Sequence, residues 1–206
     1  MTSGVDALEA MAGNYYFIYG DTLFLVLDYQ DSSLGTLVTT EQNWVKSVVK
    51  QNHTKWRVAV LHKSLFAYRN TNPTKGIAAN WTDTFDAAGI DLVLMGHDHL
   101  YVRTKYYGSR AVTNPQTPGS GTTYITGASS NTDNRSDHYT PNAYTLVYST
   151  GDYGQAYVDI AISPDDMRVT TRGFQNGELT TVEDNAVITT APRTPALATY
   201  SFPAVP

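Results

Sequence analysis

The sequence contains no cysteine among its 206 residues. This absence excludes disulfide bonds and thiolate metal ligands, so any bound metal has to be held by histidine, carboxylate, amide or tyrosine groups. No apolar run approaches the roughly 20 residues that a membrane-spanning helix needs. The N-terminal stretch 1–13 lacks the basic and apolar regions of a secretory signal peptide.

Charged residues are also scarce, at 16% of the chain, and acidic residues outnumber basic ones to give a net charge of −5. No dense stripe of lysine and arginine is present, which argues against nucleic acid as a partner. Polar and aromatic residues are abundant instead, including 15 tyrosines. This composition, with N-glycosylation sequons at Asn52, Asn80 and Asn134, is typical of a secreted or cell-envelope protein.

Three apolar segments in the first half of the chain predict β-strands. Residues 15–29 predict a β-hairpin around the turn signal Gly20-Asp21. Residues 56–62 and 90–96 are short apolar runs that predict buried strands.

Two helices are predicted between and beside these strands. Residues 39–52 show helical spacing of apolar side chains, with Thr39 and Gln42 at the spacing of a capping box. Residues 80–89 predict a short helix with Gly89 as its C-cap. Strands that alternate with helices in this way favour a parallel or mixed α/β sheet.

The second half of the chain has a different pattern. From about residue 100 onward, short alternating runs separated by turn residues predict antiparallel strands. Residues 14–184 therefore predict one domain of α/β class with some α+β character, in which a mixed sheet is followed by antiparallel strands. Segment 1–13 is interpreted as a linker or disordered start, and the proline-rich segment 185–206 as a tail or linker.

Three of the five histidines follow predicted buried strands. His62 ends one strand, and His97 and His99 follow Gly96 at the end of the next. Because residues two apart in an extended segment project to the same side, His97 and His99 are expected to face one point. If the two strands are close neighbours, His62 joins them at the carboxyl edge of the sheet, where ligands collect in α/β proteins. Three imidazoles suit zinc, iron or a similar transition metal.

The remaining histidines and the nearby carboxylates fit this site less well. His53 ends a helix, where a solvated or capping role is expected, and His138 lies on a polar loop. A second metal ion needs a bridging ligand, ordinarily a carboxylate. Asp98 is expected to point away from the histidines, and Asp91 opens its strand at the wrong end. Asp28 is the one carboxylate expected near the carboxyl edge.

Two segments resemble motifs of the calcineurin-like metallophosphoesterases, in particular the purple-acid-phosphatase-like branch. GHDHLYVRT at 96–104 resembles the GHxHxYxR segment of that family, and VAVLHKSLF at 58–66 resembles the strand that carries the preceding histidine ligand. The hairpin, the helix and the segment GTTYITGASS at 121–130 follow in the family's order. The resemblance covers about residues 14–182.

The resemblance implies a fold, a reaction and a ligand set. The fold is a two-sheet sandwich flanked by helices, and the reaction is hydrolysis of a phosphoric ester by a metal-bound hydroxide. His62 and His97 would bind one metal ion and His99 the other, with Tyr101 and Arg103 as supporting residues. The complete family site holds two ions of zinc, iron or manganese. The substrate would be a phosphorylated small molecule or another phosphoester.

The N-terminal ligand motifs of the family are missing. Gly13-Asn14 and Gly20-Asp21 match such motifs only in isolated letters, since Tyr15 follows at once and the second pair lies in the hairpin turn. The chain therefore resembles the C-terminal half of the catalytic domain. We expect at most one metal ion, no activity of the chain alone, and its own missing N-terminal half as a partner. An unpaired sheet edge would also favour self-association.

Two other functions are compatible with the sequence. The chain could be a non-catalytic binding or structural domain derived from the same fold, with contacts to carbohydrate or a partner protein made by strands rich in tyrosine and threonine. It could also be a mononuclear zinc hydrolase built on the three strand-end histidines, which needs a general base. Asp28 and His138 are the candidates for that role.

Overall fold

The described residues form two β-sheets packed face to face, with two helices on the outer side of the larger sheet. This computed structural model describes residues 13–28, 35–66, 77–107, 110–111, 121–127, 145–148, 155–175 and 178–189. The segment 67–76, residues Asn134 and His138, and most of 1–13 and 185–206 lie outside the described residues.

Eleven strands and two helices make up the described part of the chain. The helices are α1 (Gly35–Gln51) and α2 (Ile77–Ala87). The larger sheet consists of β1 (Tyr15–Tyr19), β2 (Thr22–Leu27), β3 (Trp56–Lys63), β4 (Leu92–Gly96), β5 (Val102–Tyr107), β6 (Arg110–Ala111), β7 (Thr122–Thr126) and β8 (Thr145–Tyr148). The smaller sheet consists of β9 (Gln155–Ile162), β10 (Met167–Gln175) and β11 (Glu178–Ile188).

The strand order of the larger sheet is β1-β2-β3-β4-β7-β5-β6, with β8 also paired to β5. Strands β2, β3, β4 and β7 are parallel, whereas β1 and β5 run antiparallel to their neighbours. The smaller sheet is antiparallel in the order β11-β10-β9. Because the central strands are parallel, their carboxyl ends meet at one edge of the sheet, as predicted.

Both faces of the larger sheet are apolar, and each is covered by a different layer. One face packs against the helices through residues such as Leu25 of β2, Val45 of α1 and Phe85 of α2. The opposite face packs against the smaller sheet through residues such as Val58 of β3 and Val169 of β10. Each side chain buried in this way contributes about 1.5–3 kcal/mol to folding. The predicted fold class, a mixed sheet and a second antiparallel sheet with flanking helices, is confirmed.

Most of the predicted elements of the first half are confirmed. The hairpin turns at Gly20, whose φ of 57° suits glycine. Helix α2 ends in a Schellman arrangement: the N–H of Ile90 donates to the carbonyl of Phe85, and the N–H of Gly89 donates to that of Asp86. Gly89 has φ of 63°, which confirms its predicted capping role.

The predicted start of the first helix was wrong. Helix α1 begins at Gly35, four residues before Thr39. Thr39 therefore lies inside the helix, where its spacing to Gln42 has no capping role. The apolar residues at helical spacing extend through Leu37 and Val38, so the periodic stripe continues toward the N-terminus beyond the polar pair.

Two expectations about the second half also need correction. Strand β7 pairs in parallel with β4, Leu92 lying opposite Thr123, although this part of the chain was predicted to be antiparallel. Strand β11 continues to Ile188, past the predicted boundary at 184, because residues up to Ile188 still pair with β10. None of the helices among the described residues is long and apolar enough to cross a membrane.

Candidate metal centre

His62 and His97 are brought together at the carboxyl ends of neighbouring parallel strands. His62 lies near the end of β3, and His97 follows the last residue of β4, where Gly96 pairs with Lys63. Nε2 of His62 is 3.3 Å from Nδ1 of His97, and the two rings are nearly perpendicular, with an interplanar angle of 79°. Both side chains are exposed. The predicted pairing of these two histidines at the carboxyl edge matches this geometry.

The backbone after β4 turns instead of continuing as a strand. His97 has φ of 73° and His99 has φ of 57°, so both lie in the left-handed region, which costs a residue other than glycine about 1–2 kcal/mol. The N–H of Asp98 donates to the carbonyl of Gly96 at 2.9 Å, which closes the turn. The assumption that His97 and His99 project to one side of an extended segment was therefore wrong. Backbone strain of this kind is concentrated at functional sites in proteins.

The distance between the two imidazoles can be compared with that expected for a bound metal. Two nitrogen ligands about 2.0–2.1 Å from a tetrahedral zinc ion lie roughly 3.3–3.4 Å apart. The 3.3 Å between His62 and His97 fits two corners of such a site. Among the described residues, however, no group of three or more histidine, aspartate or glutamate side chains is close enough to hold a metal ion. The donor set therefore fits a metal only in part, and His99, which is half-buried, is not gathered into it.

The carboxylates considered as bridging ligands occupy different parts of the fold. Asp28 directly follows β2, whose last residue, Leu27, pairs with Leu61, so it lies at the same edge of the sheet as His62. Asp91 lies at the opposite edge, where its Oδ2 accepts a hydrogen bond from the N–H of Arg57. Asp98 is completely buried, whereas His97 beside it is exposed. The position of Asp91 agrees with the expectation that it lies at the wrong end of its strand for a bridging ligand.

A polar cluster holds the backbone around Asp28. Oδ1 of Asn14 accepts a hydrogen bond from the N–H of Asp28 at 2.7 Å, and Nδ2 of Asn14 donates to Oε1 of Glu41 at 2.9 Å. A Cβ on Gly13 would lie 2.3 Å from the Cβ of Asp28, so this approach requires glycine. Burial raises the pKa of Glu41 above its usual value of 4.5, although the hydrogen bond from Asn14 lowers it, and nearby Asp28 raises it further.

A buried ion pair joins the segment after the histidines to the smaller sheet. Oδ2 of Asp184 accepts a hydrogen bond from the hydroxyl of Tyr101 at 2.5 Å and one from Nε of Arg103 at 2.7 Å. Oδ1 of Asp184 accepts a second bond from Arg103, from Nη2 at 3.0 Å. Burial, followed by the charge of Asp184, raises the pKa of Tyr101 strongly, so its hydroxyl stays protonated and donates. We name this cluster of Tyr101, Arg103 and Asp184 the cross-sheet clamp.

One residue of the cross-sheet clamp was not predicted from the sequence. A supporting role was expected for Tyr101 and Arg103, but Asp184 was not identified. Asp184 is more than 80 residues away in the sequence, in a segment with no motif around it. The sequence offered one signal. Arg103 lies in a segment with the alternating pattern of a strand, and an arginine on the inward side of a strand needs a carboxylate partner.

The same fold occurs in solved structures of low sequence identity. GAP50, the anchor in the inner membrane complex of Plasmodium, is 12% identical, with a TM-score of 0.59 over 87% of this chain and 54% of that chain. Purple acid phosphatase PPD1 from yellow lupin (Lupinus luteus) seeds is 16% identical, with a TM-score of 0.55 over 90% of this chain and 36% of that chain. PhoD is 14% identical, with a TM-score of 0.56 over 85% of this chain and 40% of that chain.

These similarities concern the fold. No protein-family profile and no curated protein sequence matches the chain. The chain spans between about a third and about a half of the length of the three similar structures. The chain therefore shares its fold with part of each of these longer chains, which include a purple acid phosphatase and PhoD.

Proposed function

We propose that this chain is the C-terminal portion of a metal-dependent phosphoesterase and that His62 and His97 are ligands of one metal ion. The observation that carries the proposal is the 3.3 Å contact between the two imidazole nitrogens at the carboxyl ends of β3 and β4. The left-handed backbone at His97 supports it, because backbone strain of this kind is concentrated at functional sites. The fold shared with a purple acid phosphatase and PhoD supports it independently.

Each residue of the site has a proposed role. A zinc, iron or manganese ion bound here would act as a Lewis acid on a phosphoester and offset charge on its oxygens. His62 and His97 hold that ion on an exposed edge, which a phosphorylated substrate can approach. His99 is assigned to a second ion, for which the described residues gather no further ligands. Tyr101 and Arg103 hold the segment that carries the histidines against the smaller sheet.

Metal binding can be tested by ligand-dependent stabilisation. A ligand that binds only the folded chain raises its stability by about 2.7 kcal/mol when present at 100 times its Kd. We expect zinc to raise the Tm of the wild-type chain, and we expect this shift to disappear in His62→Ala and in His97→Ala. His53→Ala is the matched control, since it also removes an exposed histidine, but one that precedes β3, at the opposite end of that strand from His62. An unchanged shift in both site variants would refute the ligand assignment.

Turnover by the chain alone is expected to be absent. With two imidazoles gathered and no third donor beside them in the described residues, the catalytic arrangement is incomplete. Hydrolysis of 4-nitrophenyl phosphate in the presence of zinc, manganese or iron should not exceed that of buffer with metal. Robust turnover that is abolished by His97→Ala would show instead that this chain is an enzyme by itself.

A second candidate function is a non-catalytic binding or structural domain. GAP50 shares the fold and is described as an anchor in a membrane complex, which favours this alternative as a use of the fold. The exposed aromatic residues of β1 provide a surface for contacts with a protein partner. In that case, replacing His62, His97 and His99 together should leave partner binding unchanged, and a loss of binding would contradict the idea. A secreted or cell-envelope location remains a prediction for either function.

A further inference from the structure

Strand β1 forms one end of the larger sheet and is unusually apolar and exposed. Within the described residues it pairs with β2 alone. All five of its side chains (Tyr15, Tyr16, Phe17, Ile18 and Tyr19) are exposed, with fractional exposures from 38% for Ile18 to 79% for Tyr19. Since alternate residues of a strand face opposite sides, β1 is open to water on both faces as well as along its edge.

Natural sheet edges are usually protected against pairing with another chain. The common devices are charged side chains, proline, β-bulges and covering loops. Residues 13–20 contain no charged residue and no proline. The pairing of β1 with β2 runs without a shift from Tyr15 opposite Val26 to Tyr19 opposite Thr22, so no bulge twists the edge away. Strand β1 therefore presents a straight row of backbone groups with apolar flanks.

The apolar surface continues beyond the strand itself. Phe17 stacks on Phe24 of β2, with ring centroids 4.8 Å apart, so the two rings form one flat surface on the side facing the smaller sheet. A groove of about 450 Å³ lies next to it and is lined by Tyr19, Phe24, Trp56, Ile160 and Ile162 among other residues.

The exposed area of β1 limits how much surface an association through this strand can bury. Taking about 200 Å² for each large side chain, the five residues of β1 leave roughly 500 Å² in contact with water. A standard interface buries about 800 Å² per partner, so association through β1 alone would bury less than a standard interface and should be weak and reversible. The net charge of −5 on each chain opposes association at long range, although no charge lies on the edge itself. Added salt should therefore strengthen the contact.

We propose that β1 is an association edge through which two copies of this chain pair antiparallel and extend the larger sheet across a twofold axis. The register that places Phe17 of one copy opposite Phe17 of the other also places Tyr15 opposite Tyr19 and Tyr16 opposite Ile18. Every cross-strand pair is then aromatic or β-branched, which is the kind of pair that stabilises sheets. The interface is self-complementary, as a twofold dimer requires.

The test is sedimentation analysis of the full chain from about 1 to 200 μM. The proposal predicts a reversible monomer–dimer equilibrium that becomes tighter as salt is raised. Phe17→Lys should weaken the dimer at least tenfold, because it places two lysines directly opposite each other. Ile18→Lys should weaken it to a similar extent, because each new lysine lies opposite the apolar ring of Tyr16 and diagonal to the second lysine. Tyr157→Lys is the matched control, because Tyr157 lies on the edge strand of the other sheet and has 46% exposure, close to the 45% of Phe17. It should leave the dimer unchanged.

Three results would overturn the proposal. These are a monomer at every concentration, a dimer that both β1 variants retain, and equal loss of the dimer in Tyr157→Lys. Two substitutions in β1 are used because Phe17 also packs on Phe24, and circular dichroism confirms that each variant folds. The experiment is independent of the metal centre, so its failure would not affect the ligand assignment.

Discussion

Replacement of Asp184 by alanine tests whether the cross-sheet clamp holds the segment that carries the histidines. Asp184 and Arg103 are 3% and 12% exposed, and the carboxylate accepts three hydrogen bonds. Removing it leaves a buried guanidinium and a buried phenol hydroxyl with no acceptor. Breaking a buried ion pair on one side costs about 3–5 kcal/mol. For a domain of this size that corresponds to a fall in Tm of roughly 10 °C.

The assay is urea unfolding of the wild type and of Asp184→Ala, followed by circular dichroism. Asp159→Asn is the control, because it removes an ion-pair carboxylate that lies 3.6 Å from Arg172 on the exposed side of the smaller sheet. The control should change the free energy of unfolding by less than about 0.5 kcal/mol. A combined replacement of Tyr101 by Phe, Arg103 by Leu and Asp184 by Leu should recover most of the loss. A change below about 1 kcal/mol for Asp184→Ala would refute the clamp.

Three further predictions concern individual positions. In the absence of metal, His97→Gly should be more stable than His97→Ala by about 1 kcal/mol, because glycine accepts the positive φ. Equal free energies of unfolding for the two variants would show that the turn is unstrained. Gly89→Ala should lower stability by about 1–2 kcal/mol in urea unfolding, since the C-cap has φ of 63°, and an unchanged midpoint would contradict this. Burial raises the pKa of Glu41, so the stability that its protonated form provides is present below pH 4.5 and lost as pH rises through the folded pKa. Glu41→Gln, which keeps an acceptor for Asn14, should therefore be more stable than wild type at pH 7 but not at pH 4, and an equal gain at both values would exclude this cause.

Much of the fold could be predicted from local patterns. The hairpin at Gly20 and the buried strands ending near His62 and Gly96 are encoded within a few residues, by turn chemistry and short apolar runs. The parallel pairing of β7 with β4 could not be predicted, because the sequence of residues 122–126, all of which are buried, does not specify which strand is the neighbour. The early start of α1 was missed because residues 35–38 carry no capping signal.

The candidate site was only partly predictable, because part of it depends on tertiary packing that local sequence patterns do not encode. The meeting of His62 with His97 follows from two parallel strands that end side by side, and strand patterns predict that. The left-handed turn at His97 and His99 depends on the tertiary setting of the strand end, and no local pattern marks it beyond Gly96. The partnership of Arg103 with Asp184 depends on the packing of two sheets, which brings together residues 81 positions apart.

The most direct measurement of the central claim is the number of metal ions bound per chain. Equilibrium dialysis against zinc, followed by elemental analysis, should find one ion per wild-type chain and none after His62→Ala or His97→Ala, with His53→Ala unchanged. Two ions per chain would contradict the account, because a carboxylate such as Asp28 would then complete a second site within residues 1–206. One ion that persists in both histidine variants would also contradict it, since the contact between His62 and His97 would then have no part in metal binding.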